Sequence, residues 1–183
     1  MTKLRMVRGV LAGLVGVALL AGGLATASNM GFKFVPNVAA NQFFDLALPW
    51  NNNYTKAAAL LKDLPGAIRV SKYTATGTFI DWSKGAPPAN NFNVNKGEAY
   101  IMKAGGSGSN SAVIVGSHDP NFTFTFAANQ FYNAAAPYHQ TFTKAAALLK
   151  DMNSKMAPNA ISRVSKYTAT GTFIDWAKGA PPA

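Results

Sequence analysis

The sequence predicts an α+β, β-rich protein: two tandem small modules, each an antiparallel sheet or sandwich with one short helix, the second incomplete. Three observations carry this expectation. The stretch RVSKYTATGTFIDWSKGAPPA at residues 69–89 returns as RVSKYTATGTFIDWAKGAPPA at 163–183, with one change in 21 positions. A second pair, ANQFFDLALPWNNNYTKAAALLKD at 40–63 and ANQFYNAAAPYHQTFTKAAALLKD at 128–151, agrees at 15 of 24 positions. Around both pairs, short apolar–polar alternations are interrupted by Gly, Pro and Asn, and one stretch per copy has helical character.

The spacing is 88 residues in the 24-residue pair and 94 in the 21-residue pair, because copy two carries six extra residues within MNSKMAPNAIS. A repeat of that length exceeds a solenoid unit and matches a small domain. The simplest arrangement is two beads on a string, residues 28–119 and residues 120–183.

Ahead of them stands a leader. Lys3, Arg5 and Arg8 precede an uncharged run of Val, Leu, Ala and Gly at residues 10–24, and Ala25-Thr26-Ala27 has the small-x-small form of a signal peptidase site. The run is shorter than the roughly 20 residues that a spanning helix needs. Cleavage between Ala27 and Ser28 is therefore expected, giving a secreted or cell-surface protein with no stable membrane span afterwards. An uncleaved anchor is the alternative. No Cys follows the run, which excludes a Cys-linked lipid anchor.

Each copy opens on alternating phenylalanines, Phe32 and Phe34 in the first and Phe122, Phe124 and Phe126 in the second, expected on one buried face. A short strand follows near residues 42–48, ended by Pro49. Thr55 is a candidate N-cap for a helix over 56–64, in which Ala57, Leu60, Leu61 and Leu64 share a face before Pro65-Gly66 stops it. In copy two Thr143 opens the same helix, with room to run through Met152 and Met156 towards Pro158. Residues 69–73 and 78–82 form a hairpin whose turn uses Gly77 for positive φ. GAPPANN is a loop, since consecutive prolines supply no backbone donors. Copy one continues with a strand at 98–103, carrying Tyr100 and Met102 on one face. A turn at GGSGS and a strand at 112–115 follow. The second copy ends at Ala183 before any counterpart, so its last strands are expected to be missing.

Composition narrows the function. Charged residues are only 13% of the chain, and removing the leader leaves 14 basic against 7 acidic residues, a net +7. Apart from Arg69 and Arg163 the basic residues are scattered lysines, without the clustered surface that nucleic acid requires. With no cysteine there is no thiolate nucleophile and no Cys-based metal site. His118 and His139 lack partners at ligand spacing, and the acids Asp45, Asp63, Asp81, Glu98, Asp119, Asp151 and Asp175 are spread one per element. No phosphate loop, calcium loop or nucleophile elbow is present. No catalytic residue, metal or cofactor is expected.

The aromatics are the binding candidates. Trp50 and Tyr54 flank Asn51-Asn52-Asn53, and Trp82 ends the first hairpin beside Lys84. Exposed rings beside amides suit stacking on sugar faces; the competing reading is that these rings cover a small core.

Taken together, FFDLALPW, YTKAAALLKD, VSKYTATGTFIDW, NKGEAYIMK and the connecting VGSHDP resemble a family of exported bacterial repeat modules with no established activity. The resemblance spans nearly all of residues 30–119 and two-thirds of a second module. It implies export and a β-rich bead. In copy two Ala134, Ala136 and Tyr138 replace Leu46, Leu48 and Trp50, which weakens the packing expected of that strand. The expected function is thus an exported, non-enzymatic structural or interaction protein. Self-assembly or strand exchange with another chain would be its mode of action. The alternatives are carbohydrate binding through Trp50, Tyr54 and Trp82, with polysaccharide as partner, and, remotely, a secreted hydrolase.

Overall fold

The computed structural model describes residues 30–49, 51–117, 119, 121, 123, 125–135, 141–156, 160–177 and 179. The leader with its Ala27–Ser28 junction, Trp50, His118, His139, Phe122 and Phe124 lie outside the described residues. The protein is α+β and β-rich, with eight strands in antiparallel sheets among the described residues.

In the first copy these are β1 (Met30–Val35), β2 (Phe43–Ala47), α1 (Ala57–Lys62), β3 (Ala67–Tyr73), β4 (Phe79–Ser83), β5 (Ala99–Ala104) and β6 (Ala112–Ser117). The main sheet has the order β2-β5-β3-β4, so the strand that comes last in the chain lies in the middle. That position explains its composition. Tyr100, Ile101, Met102 and Ala104 are all buried, as a strand covered on both faces requires. Tyr100 and Met102 share one face, as the alternation predicts. They join Leu46, Leu48, Ala57, Leu60, Leu61, Leu64 and Val70 in a single apolar cluster. Burying each of these leucines contributes about 1.5–3 kcal/mol.

The helix starts one residue later than its threonine suggests. Lys56 is the N-cap and provides no side-chain cap. The free helix donors are taken by the loop before β5 instead: Ala57 N–H donates to the Phe92 carbonyl (3.0 Å) and Ala58 N–H to Asn91 Oδ1 (2.9 Å). Helix and closing segment are thereby tied together.

The opening phenylalanines depart from expectation. Among the described residues β1 pairs only with β6, and the ribbon turns its other face inward: Val35 and Ile114 are buried, while Phe32 and Phe34 are 60% and 55% exposed. Their cross-strand partners Val115 and Val113 are exposed with them. Alternation located the two faces correctly, but the buried one is the face of Val35. Phe126, the described member of the second set, lies edge-on to Tyr132 with ring centroids 4.9 Å apart, not in a core.

The second copy supplies α2 (Ala145–Lys155), β7 (Arg163–Tyr167) and β8 (Phe173–Ala177). The extra residues lengthen the helix to 11 residues from 6 in α1. Asn153 fastens its end to the hairpin, its side chain accepting from Ile161 N–H and donating to the Ile161 carbonyl, both at 2.9 Å. β7 pairs with β8 in the register of β3 with β4, offset by 94 residues.

Candidate functional site: the face between the copies and the edge beside it

The near-identical hairpins meet each other. Both turns are TATGT, closed by the same bonds: Thr78 N–H to Thr74 Oγ1 and Thr172 N–H to Thr168 Oγ1, each 3.1 Å. Gly77 (φ 87°) and Gly171 (φ 91°) take the left-handed region these turns require. A Cβ at Gly77 would lie 3.1 Å from the Phe131 ring, and one at Gly171 would lie 3.0 Å from the Phe43 ring. Phe43 and Phe131 are themselves equivalent at the 88-residue spacing, so each copy sends its phenylalanine across to the other's turn.

The ring contacts and the backbone bonds of the two phenylalanines are reciprocal. Phe43 N–H donates to the Ala169 carbonyl (3.0 Å) and Phe131 N–H to the Ala75 carbonyl (3.1 Å). Phe43 packs edge-on against Tyr167 and Phe131 edge-on against Tyr73, each at 5.4 Å between centroids. Tyr73 meets Phe173 at 5.4 Å, Tyr167 meets Phe79 at 5.8 Å, and Phe79 stacks on its own equivalent Phe173 at 6.0 Å and 10°. A residue touching its own equivalent, with the other ring contacts duplicated, is the signature of an isologous interface about an approximate two-fold axis. Arg69 lies over Phe43 (5.2 Å) and Arg163 over Phe131 (5.4 Å), and these guanidiniums pair with Asp81 (3.6 Å) and Asp175 (3.3 Å). The expectation of two beads on a string leaves this contact out.

Beside this face the closing strand is anchored by charge. Lys72 Nζ bonds both Glu98 oxygens at 2.6 and 2.7 Å, and the Tyr100 hydroxyl donates to Glu98 at 2.9 Å. Burial pushes the Tyr100 phenol well above its ordinary range. Across the interface, Ala99 N–H donates to the Asn133 carbonyl (2.9 Å) and Ala135 N–H to the Gly97 carbonyl (2.8 Å). The second copy thus extends the ladder of the first copy's closing strand. Asp45, the equivalent of Asn133, has its carboxyl pushed up by burial, with Lys166 opposing that shift.

The sugar-stacking candidates are placed differently. Tyr54 and Trp82 are partly buried against the core of the first copy. The Tyr54 hydroxyl donates to Asp63 (3.1 Å), and burial and that bond push its phenol up to about 12. The indole N–H groups of Trp82 and of its equivalent Trp176 are buried without a partner among the described residues. Size and flanking amides single out these large rings, whereas the contact is made by Phe43, Tyr73, Phe79 and their equivalents. A signal was available: the 21-residue identity keeps both Tyr and Phe of each hairpin.

Among the described residues no group of His, Asp and Glu is placed to hold a metal ion, and no helix is long and apolar enough to cross a membrane. No known family, no characterised protein and no solved structure matches the chain.

Proposed function

We propose that this is an exported, non-enzymatic repeat protein that acts outside the cell or at its surface as a structural and interaction module. One observation carries the reading. The part of the chain that is most nearly repeated makes a self-complementary face between the two copies, with six rings packed across it. The resemblance to exported repeat modules and the leader ending at Ala27 point the same way. The carbohydrate reading draws less support, because Tyr54 and Trp82 spend their surface on the core and Trp50 lies outside the described residues.

The test is the intact mass of the native protein recovered separately from the medium, the cell surface and the cell interior. The expected form begins at Ser28 and is found outside. A chain that keeps Met1–Ala27 and stays inside overturns the reading.

A further inference from the structure

The two hairpins carry the same five residues, RVSKY, in β3 and β7, yet among the described residues only β3 has a strand on each side. β3 lies between β4 and β5; β7 pairs with β8 and, among the described residues, with no other strand. Burial follows: Val70 and Ser71 are 0% and 3% exposed, whereas Val164 is half-buried and Ser165 and Lys166 are exposed. An open edge whose sequence-identical twin is filled states what its occupant must look like.

We infer that the outer edge of β7 accepts an extended segment of a second polypeptide having the chemistry of Gly97–Ala104: a glycine, an acid, a small residue, then an aromatic and a methionine on one face. This rests on the reading of the protein as an interaction module and names the kind of partner. Three features of the first copy fix the chemistry. Met102 stands opposite Val70, so an apolar side chain is needed opposite Val164. Glu98 binds Lys72, so an acid is needed beside Lys166. Asp45 of the first copy faces Lys166, whose charge opposes the upward push that burial gives the Asp45 carboxyl.

A further set of backbone groups is already in place. The Gln42 carbonyl accepts from Ala104 N–H (2.9 Å), so along β2 the even-numbered residues bond to β5 and the odd-numbered ones face away from it. Phe43 uses that outward direction to reach Ala169 (3.0 Å). Next along the same side come the Asp45 carbonyl and Ala47 N–H, the equivalents of the Asn133 carbonyl and Ala135 N–H that hold Ala99 and Gly97. A strand laid beside β7 in the β5 register meets these two groups with its own small-residue N–H and glycine carbonyl. The acceptor is therefore built from both copies, a β-augmentation site with an acid-reading lysine at one end.

The probe is a fluorescent peptide of sequence NKGEAYIMKA, residues 95–104, titrated into the full chain, with hydrogen exchange read at 163–167. Saturable binding that newly protects the β7 amides is expected. Replacing the peptide's Glu by Lys should weaken it at least tenfold, and Lys166→Glu in the chain should restore the altered peptide. Lys72→Glu should not restore it, which separates this edge from displacement of β5. Lack of binding to a chain shown by circular dichroism to be folded overturns the site. So does protection of 163–167 before peptide is added, because the edge would then already be occupied. Neither result touches export, which the intact mass decides, so failure of the site and failure of the functional reading are told apart.

Discussion

The β3–β4 and β7–β8 hairpins are nearly the same sequence, differing at Ser83 and Ala177, in two situations. Both fold, with the same register, the same TATGT turn bonds and the same Arg–Asp pair across the strands. They differ in what lies beside and beneath them. The first is one half of a four-stranded sheet over a helix whose Ala57, Leu60 and Leu61 are buried; the second is a two-stranded ribbon beside a helix that buries only Leu149. Local sequence therefore decides the hairpin, and a third strand decides whether it becomes core. A lone two-stranded hairpin is marginal in water. The second one is helped by the aromatic face it shares with the first.

The largest effect should come from removing the strand that makes the difference. Tyr100→Ala deletes the largest fully buried side chain of the sheet, and a loss of about 3–5 kcal/mol is expected. Denaturant unfolding should show the first copy melting far earlier; an unchanged midpoint would mean that β5 does not distinguish the hairpins. Paired substitutions sharpen the point. Val70→Ala should cost about 1.5 kcal/mol from two buried methyl groups, and Val164→Ala clearly less, since that side chain is only half-buried. Equal costs would place both valines in equivalent cores.

The shared face should behave symmetrically where the cores do not. Phe79→Ala and Phe173→Ala each remove the same stacked pair and its edge-on neighbours, worth about 1 kcal/mol per ring pair. Each should raise protease cutting between the copies to the same degree. A marked inequality between the two would break the two-fold description.

The smallest effect concerns Asp45. Burial raises its carboxyl above 3.8, so its contribution to stability is fully present below that value and is lost as pH rises through the shifted one. Asp45→Asn reproduces the residue found at Asn133. It should raise the melting temperature slightly at neutral pH and leave it unchanged below 3.8. The reverse pattern would mean that attraction to Lys166 outweighs burial.

Most elements were legible in the chain because they obey local rules. The hairpins were marked by alternation around a glycine turn, α1 by its leucines and the Pro65-Gly66 stop, and the longer α2 by its six extra residues. Boundaries moved by a residue or two where tertiary partners intervened, as when Asn91 and Phe92 capped α1 in place of Thr55. The candidate site was legible only as repetition. The large indoles looked like the functional surface, yet Trp82 lies on the core. The smaller rings of Tyr73 and Phe79 form the contact, because their role depends on a second copy 94 residues away.

By itself the sequence determined the β-rich class, the duplicated module, the turn types and the apolar face of the helix, all of which follow from periodicity and backbone preference over a few residues. Tertiary structure decided which face of β1 turned inward, that the closing strand occupies the centre of the sheet, and that the copies meet about a two-fold axis. Those choices depend on burial and strand pairing between distant segments. Their energies arise only when both partners are present, so identical pentapeptides reached different environments.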